Sequence, residues 1–152
     1  MRDNYEDTRV WYGFDLDYCA AEGHSPYRSD VIGEPVPAMI ELMRKMISDG
    51  KRVKIFTARV CETGQKSPWS NAVANAEYAE KQHSLIDDWC FKHLGMHLEA
   101  TSIKDFLCEE IYDDRAWRVE KNTGKIVGKD IFIYEHAFMF PPNFGLMGPL
   151  ED

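Results

Sequence analysis

Basic charge is scarce in this chain: 18 Lys and Arg stand against 26 Asp and Glu, a net charge of −8. A surface of that sign repels a polyanion, so nonspecific, phosphate-driven binding to nucleic acid is disfavoured, although a local basic spot can still hold one phosphate. Long apolar runs are missing too. No segment approaches the ~20 residues of a membrane-spanning helix, and Met1-Arg2-Asp3-Asn4-Tyr5-Glu6-Asp7 lacks the apolar core of a signal peptide. A soluble cytoplasmic protein with no membrane partner is expected. Cys19, Cys61, Cys90 and Cys108 are scattered with no C-x-x-C pair, which argues against a zinc knuckle or a dithiol redox motif and for thiols kept reduced. Repeats, low-complexity tracts and composition breaks are also absent. At 152 residues, 44% apolar and 12% aromatic, the chain reads as a single globular domain over 1–152.

What is present alternates in period. Residues 10 to 16 suit a short buried strand because Val10, Trp11, Tyr12 and Phe14 favour a pleated surface. Gly23, Ser25, Pro26 and Gly33 mark residues 18 to 33 as irregular. From Pro35 to about Ser48, Met39, Ile40, Met43, Met46 and Ile47 recur at helical spacing, with Gly50 where a C-cap belongs. Val53 to Thr57 is the next strand, residues 60 to 70 a loop, and Asn71 to His93 a second helix ended by Gly95. Strands near Glu99 to Ile103 and Glu110 to Tyr112 follow, and a hairpin from Trp117 to Val127 around Asn122-Thr123-Gly124 completes the sheet. The alternation predicts an α/β fold, a Rossmann-like parallel sheet with helices on both faces. Residues 129–152 form a C-terminal extension in which Ile131 to Phe140 suits a strand or short helix; it can cover a sheet edge or serve as a dimer contact.

Polar residues fall at the predicted carboxyl ends of four strands: Asp15 with Asp17, Thr57, Lys104, and Asp113 with Asp114. Ligands of open α/β sheets bind outside those ends, so positions distant in sequence converge on one crevice. Two carboxylates one residue apart repel unless a cation or proton stands between them. Several carboxylates without clustered His or Cys suit a hard, oxygen-preferring ion, Mg²⁺ above all. A hydroxyl, an ammonium and that metal together can hold a phosphate.

The pattern resembles the haloacid dehalogenase-like (HAD) hydrolases, with Phe14-Asp15-Leu16-Asp17 as the D-x-D strand end and Ile55-Phe56-Thr57 as the second motif. Lys104 in Ser102-Ile103-Lys104-Asp105 is the candidate third motif and Ile111-Tyr112-Asp113-Asp114 the fourth. Gly33-Glu34-Pro35 and Ile55-Phe56-Thr57-Ala58-Arg59 look like the small members of bacteria and phages, and the likeness covers about residues 10 to 127. The resemblance implies a Mg²⁺-dependent phosphatase in which Asp15 is the nucleophile, Asp17 the general acid and base, Thr57 a hydrogen-bond partner of a phosphoryl oxygen and Lys104 the neutralising cation. It also implies metal ligation by the side chains of Asp15 and Asp113, by the backbone carbonyl of Asp17, and by Asp114 in direct or outer contact. Tyr18 and Cys19 follow where the family has a small or polar residue and then Thr or Val.

Residues 18 to 33 are too few for a folded cap domain, so the cap is minimal or absent, with the stretch from Val60 to Asn71 available as a small lid. An open site admits a nucleic-acid end; a phosphorylated small molecule such as a nucleotide suits a site closed by a homo-oligomeric partner. Arg59 and Arg115 can touch substrate phosphate or form structural ion pairs. His24 lies in the loop above the site. Other readings are a catalytically degenerate phosphate- or protein-binding module and, less well matched, a receiver-type phosphoacceptor, in which Lys comes last rather than before the final acidic pair.

Overall fold

The computed structural model describes residues 9–128. The chain divides into two compact units, Met1–Asp114 and Arg115–Asp152. The first holds a four-stranded sheet of β1 (Trp11–Phe14), β2 (Arg52–Phe56), β3 (Ala100–Thr101) and β4 (Cys108–Tyr112). All pairings are parallel and the order is β3-β2-β1-β4, so the parallel α/β architecture expected from the alternation is present.

Two helices connect the first three strands. In α1 (Pro37–Ser48) proline opens the first turn, where its fixed φ suits the helix and its missing N–H is not needed. Ile40, Met43 and Met46 form its buried stripe. The second helix, α2, runs Ala76–Leu94 and begins later than the apolar spacing suggests, because the Asn75 side chain accepts from Tyr78 N at 2.9 Å and caps it there. Ahead of that cap, residues 64–74 form a small antiparallel arm, closed by Gly64 N to Ala74 O at 2.7 Å and Ser67 N to Ala72 O at 2.9 Å. Trp69 stands exposed on it.

The helices do not cover both faces as expected. Tyr12, Phe14, Val53 and Ile55 share one face by register, and this face packs against Ile40, Met43 and Met46 of α1 and Ile86, Trp89, Cys90 and Leu94 of α2. The reason is handedness: β1, β2 and β3 step in one direction, and two right-handed crossovers stepping the same way lie on the same side. The return from β3 to β4 passes the other face with residues 102–107 alone, fewer than the roughly dozen residues a helical crossover takes.

That other face is closed instead by side chains. Trp11 is fully buried, 6.2 Å from the Phe56 ring, with the Lys54 ammonium 4.8 Å from its own ring and bonded to Glu99 at 2.9 Å. Trp11 Nε1 donates to Asp105 Oδ1 at 2.8 Å and its backbone N to Leu107 O at 2.9 Å, fastening the crossover to the start of β1. Position 13 must be glycine for this, since a Cβ there would stand 2.9 Å from the Trp11 ring and 3.1 Å from Phe56 Cβ.

In the second unit, β5 (Arg118–Val119) and β6 (Ile126–Val127) pair antiparallel around the expected turn. They form their own two-stranded sheet and do not complete the main one. With only two residues each and Trp117, Val119 and Val127 exposed, these strands satisfy each other through the turn. The expectations for residues 131 to 140 and the Pro141-Pro142 tail lie outside the described residues. No described helix is long and apolar enough to cross a membrane.

Candidate active site

At the end of β1, Asp15 N donates to Tyr112 O at 2.9 Å and the Phe14 ring stacks on Tyr112 at 4.5 Å. The ends of β1 and β4 are thereby locked together. Carboxylate oxygens of Asp15, Asp113 and Asp114 consequently all lie within 4.8 Å of one another. Burial, followed by repulsion from Asp113 and a hydrogen bond shared with Asp114, pushes the Asp15 carboxyl up to about 7. The donors of this cluster are all oxygens that can approach a common point, which fits a hard divalent cation such as Mg²⁺.

Beyond Asp15 the chain doubles back sharply, with Cys19 N to Leu16 O at 3.2 Å, Ala20 N to Asp15 O at 3.1 Å and Ala21 N to Leu16 O at 2.8 Å. Tyr18 takes a φ of 64°, a left-handed value uncommon for any residue other than glycine. In a straight strand Asp15 and Asp17 would point the same way; here the turn separates them. Asp17 faces Arg59, whose Nε and Nη2 reach its two oxygens at 2.7 Å each. This is the structural ion pair, and it holds the guanidinium away from any exposed position: Arg59 is only 4% exposed. Burial alone would pull the guanidinium down, but the hydrogen bonds and charge of Asp17 outweigh it and hold it up.

Arg59 has further partners. Nη1 donates to Gln82 Oε1 at 2.9 Å and Ser29 O at 3.3 Å, and Nη2 to Val31 O at 2.8 Å and Arg28 O at 3.4 Å. Its guanidinium carbon lies 5.1 Å from the centre of the Tyr27 ring. The irregular loop of residues 18 to 33 is thus anchored to the single 3-10 turn Ala58–Val60 that follows β2. The base of the loop is closed by Glu22 N to Glu34 O at 2.8 Å, an approach so tight that a Cβ on Gly33 would meet Glu22 O at 1.9 Å.

Thr57 ends β2 as expected and is buried, its N donating to Thr101 O at 2.9 Å and its Oγ1 accepting from Arg59 N at 3.2 Å. Lys104 lies on the 102–107 crossover, exposed and without a hydrogen bond or ion pair among the described residues, and its charge acts on Cys108 at the start of β4. The charges acting on Asp15 include those of Asp113 and Asp114. Arg115 begins the second unit. Tyr18 donates its hydroxyl to His24 O at 2.8 Å, and His24 Nε2 is buried with no hydrogen-bond partner.

Two further residues take part, Cys19, read from the sequence only as a departure after the D-x-D end, and Gln82, not read from it at all. Cys19 sits by the acids, its Sγ 3.5 Å from Tyr112 O, and burial together with Asp15, Asp114 and Asp113 pushes its thiol up to about 11. Gln82 braces Arg59 while its own amide donates to Ser29 O at 2.8 Å. A signal for Gln82 existed, a lone polar residue among Ala79, Ile86 and Trp89 on the buried side of α2. Compared with protein-family models, curated proteins and solved structures, the chain finds no match.

Proposed function

We propose that the protein is a Mg²⁺-dependent phosphohydrolase of the haloacid dehalogenase-like kind that cleaves phosphomonoesters through an aspartyl-phosphate on Asp15. The observation that carries this reading is the convergence of Asp15, Asp113 and Asp114 within 4.8 Å at the carboxyl ends of two neighbouring parallel strands. Thr57, buried at the end of the next strand, supports it.

In this reading Asp15 and Asp113 hold the cation with their side chains, with Asp114 beside them and the Asp17 carbonyl completing the set. Bound there, Mg²⁺ offsets the carboxylates and polarises the phosphoryl oxygens. An oxygen of Asp15 attacks phosphorus, and the bond to the ester oxygen breaks with its electron pair leaving on that oxygen, which takes a proton from Asp17. Water then attacks the phosphorus of the acyl-phosphate and gives a proton to Asp17, releasing inorganic phosphate and restoring Asp15. Thr57 steadies a phosphoryl oxygen. In this reading the substrate is a phosphomonoester, either a nucleotide or the phosphorylated end of a polynucleotide.

Turnover of p-nitrophenyl phosphate and a panel of nucleotides and 5′- or 3′-phosphorylated oligonucleotides, with Mg²⁺ and with chelator, tests this. Activity that requires the metal and disappears in Asp15→Asn is the expected result. Inactivity across the whole panel, or activity that survives Asp15→Asn, would overturn the assignment.

A further inference from the structure

A guanidinium has five N–H donors, and in Arg59 every one has an acceptor. Nε serves Asp17; Nη1 serves Gln82 and Ser29; Nη2 serves Asp17 and Val31, with Arg28 O at the edge of reach. No donor is left for a substrate phosphate. The carbonyls of residues 28, 29 and 31 and the Gln82 amide take the donors that anchor the loop, and the remaining two close a two-point fork on the counter-charge that so buried a guanidinium requires. That pair is made with the acid that the turn after β1 directs away from the carboxylate cluster. Gln82, 3% exposed, braces the far side of the guanidinium, so the order of support runs from α2 through Gln82 and Arg59 to Asp17.

We infer that Arg59 is the positioning residue of this site, setting the direction of the Asp17 carboxylate, and that it is not a substrate contact. The inference rests on the phosphohydrolase reading above. A carboxylate offers about four lone-pair sites, and the fork occupies two, so each oxygen keeps a lone pair with which to exchange a proton. Held by the fork, the carboxylate does not swing toward Asp15. Arg59 acts on the reaction only through Asp17.

The test is a set of variants, Arg59→Met, Arg59→Lys, Asp17→Asn and the double variant Arg59→Met with Asp17→Asn, each assayed with an aryl and an alkyl phosphate. Arg59→Met is expected to lower kcat on the order of 10²-fold, with KM changed less than about threefold and the alkyl ester hurt more than the aryl, the same selectivity as Asp17→Asn. In the Asp17→Asn background the same substitution should add less than about threefold, because both changes remove one function. Arg59→Lys should recover part of the loss. A raised KM with intact kcat, an equal loss in the Asp17→Asn background, or lowered stability with unchanged kcat would each overturn the inference. Should the Arg59 variants fail to fold, Gln82→Leu, which removes one brace, is expected to lower kcat several-fold in the wild type and not in Asp17→Asn; equal effects in both would overturn it. Failure of the phosphohydrolase reading is distinct, since it shows as wild-type inactivity or as activity that survives Asp15→Asn.

Discussion

Asp15 and Asp17 leave one strand end with a single residue between them and arrive in opposite electrostatic settings. Asp15 joins two further carboxylates, and burial and repulsion push it up to about 7. Asp17 meets a buried guanidinium in a two-point fork. One corner gathers three carboxylates, while the other holds a cation with no donor to spare. Sequence proximity therefore says little about a carboxylate's chemical state; the turn that follows it, closed by Ala20 N to Asp15 O and Ala21 N to Leu16 O, decides which neighbours it meets.

The contrast can be broken most severely at Asp15. Asp15→Asn is expected to lower phosphatase turnover by on the order of 10³-fold or more, while its thermal midpoint in chelator at neutral pH stays level or rises because a repulsive charge is gone. A parallel fall in stability would show that the cluster is not strained by charge. Asp17→Asn should do the reverse to the fold: it leaves Arg59 buried without its counter-charge, costing about 2–3 kcal/mol after allowance for the partial exposure of Asp17, as read by urea unfolding. Equal unfolding midpoints for the two variants would erase the distinction.

A subtler test uses pH. The Asp15 carboxyl, raised from 3.8 to about 7, binds a proton more readily folded than unfolded, so between those values folding stability from this group falls as pH rises. Mg²⁺ favours the ionised cluster and opposes that fall. Its stabilisation should be clear at pH 8 and small at pH 5 in thermal melts; equal shifts at both pH values would place the cation elsewhere. The smallest expected effect is at Cys19, whose thiol the same carboxylates help push up to about 11. Mg²⁺ should speed its alkylation several-fold at constant pH, resolved by mass spectrometry of the Cys19 peptide, because the repelling charges are neutralised while burial remains. Unchanged alkylation would mean the metal does not reach the acids beside it.

Much of the local structure was legible because it rests on local rules. The Ile40, Met43 and Met46 stripe and the run from Val53 to Phe56 announce α1 and β2 through period alone, and Asn122 with Gly124 announces the turn of the second unit. The start of α2 was misplaced because apolar spacing continues upstream, whereas Asn75 provides the hydrogen bond that begins the helix. The boundary after Asp114 carries no compositional mark. Among the candidate site residues, Asp15, Asp113, Asp114 and Thr57 stand at ends of adjacent strands, an arrangement that follows once parallel order is known.

By itself, the sequence determined the alternation of strand and helix and the acidic strand ends, since propensity and period are properties of neighbouring residues. Tertiary structure alone decided that both helices share a face and that Arg59 spends all its donors inside the protein. Those outcomes depend on the handedness of crossovers and on partners brought from residues 17, 28 to 31, 59 and 82, distances that no local pattern encodes.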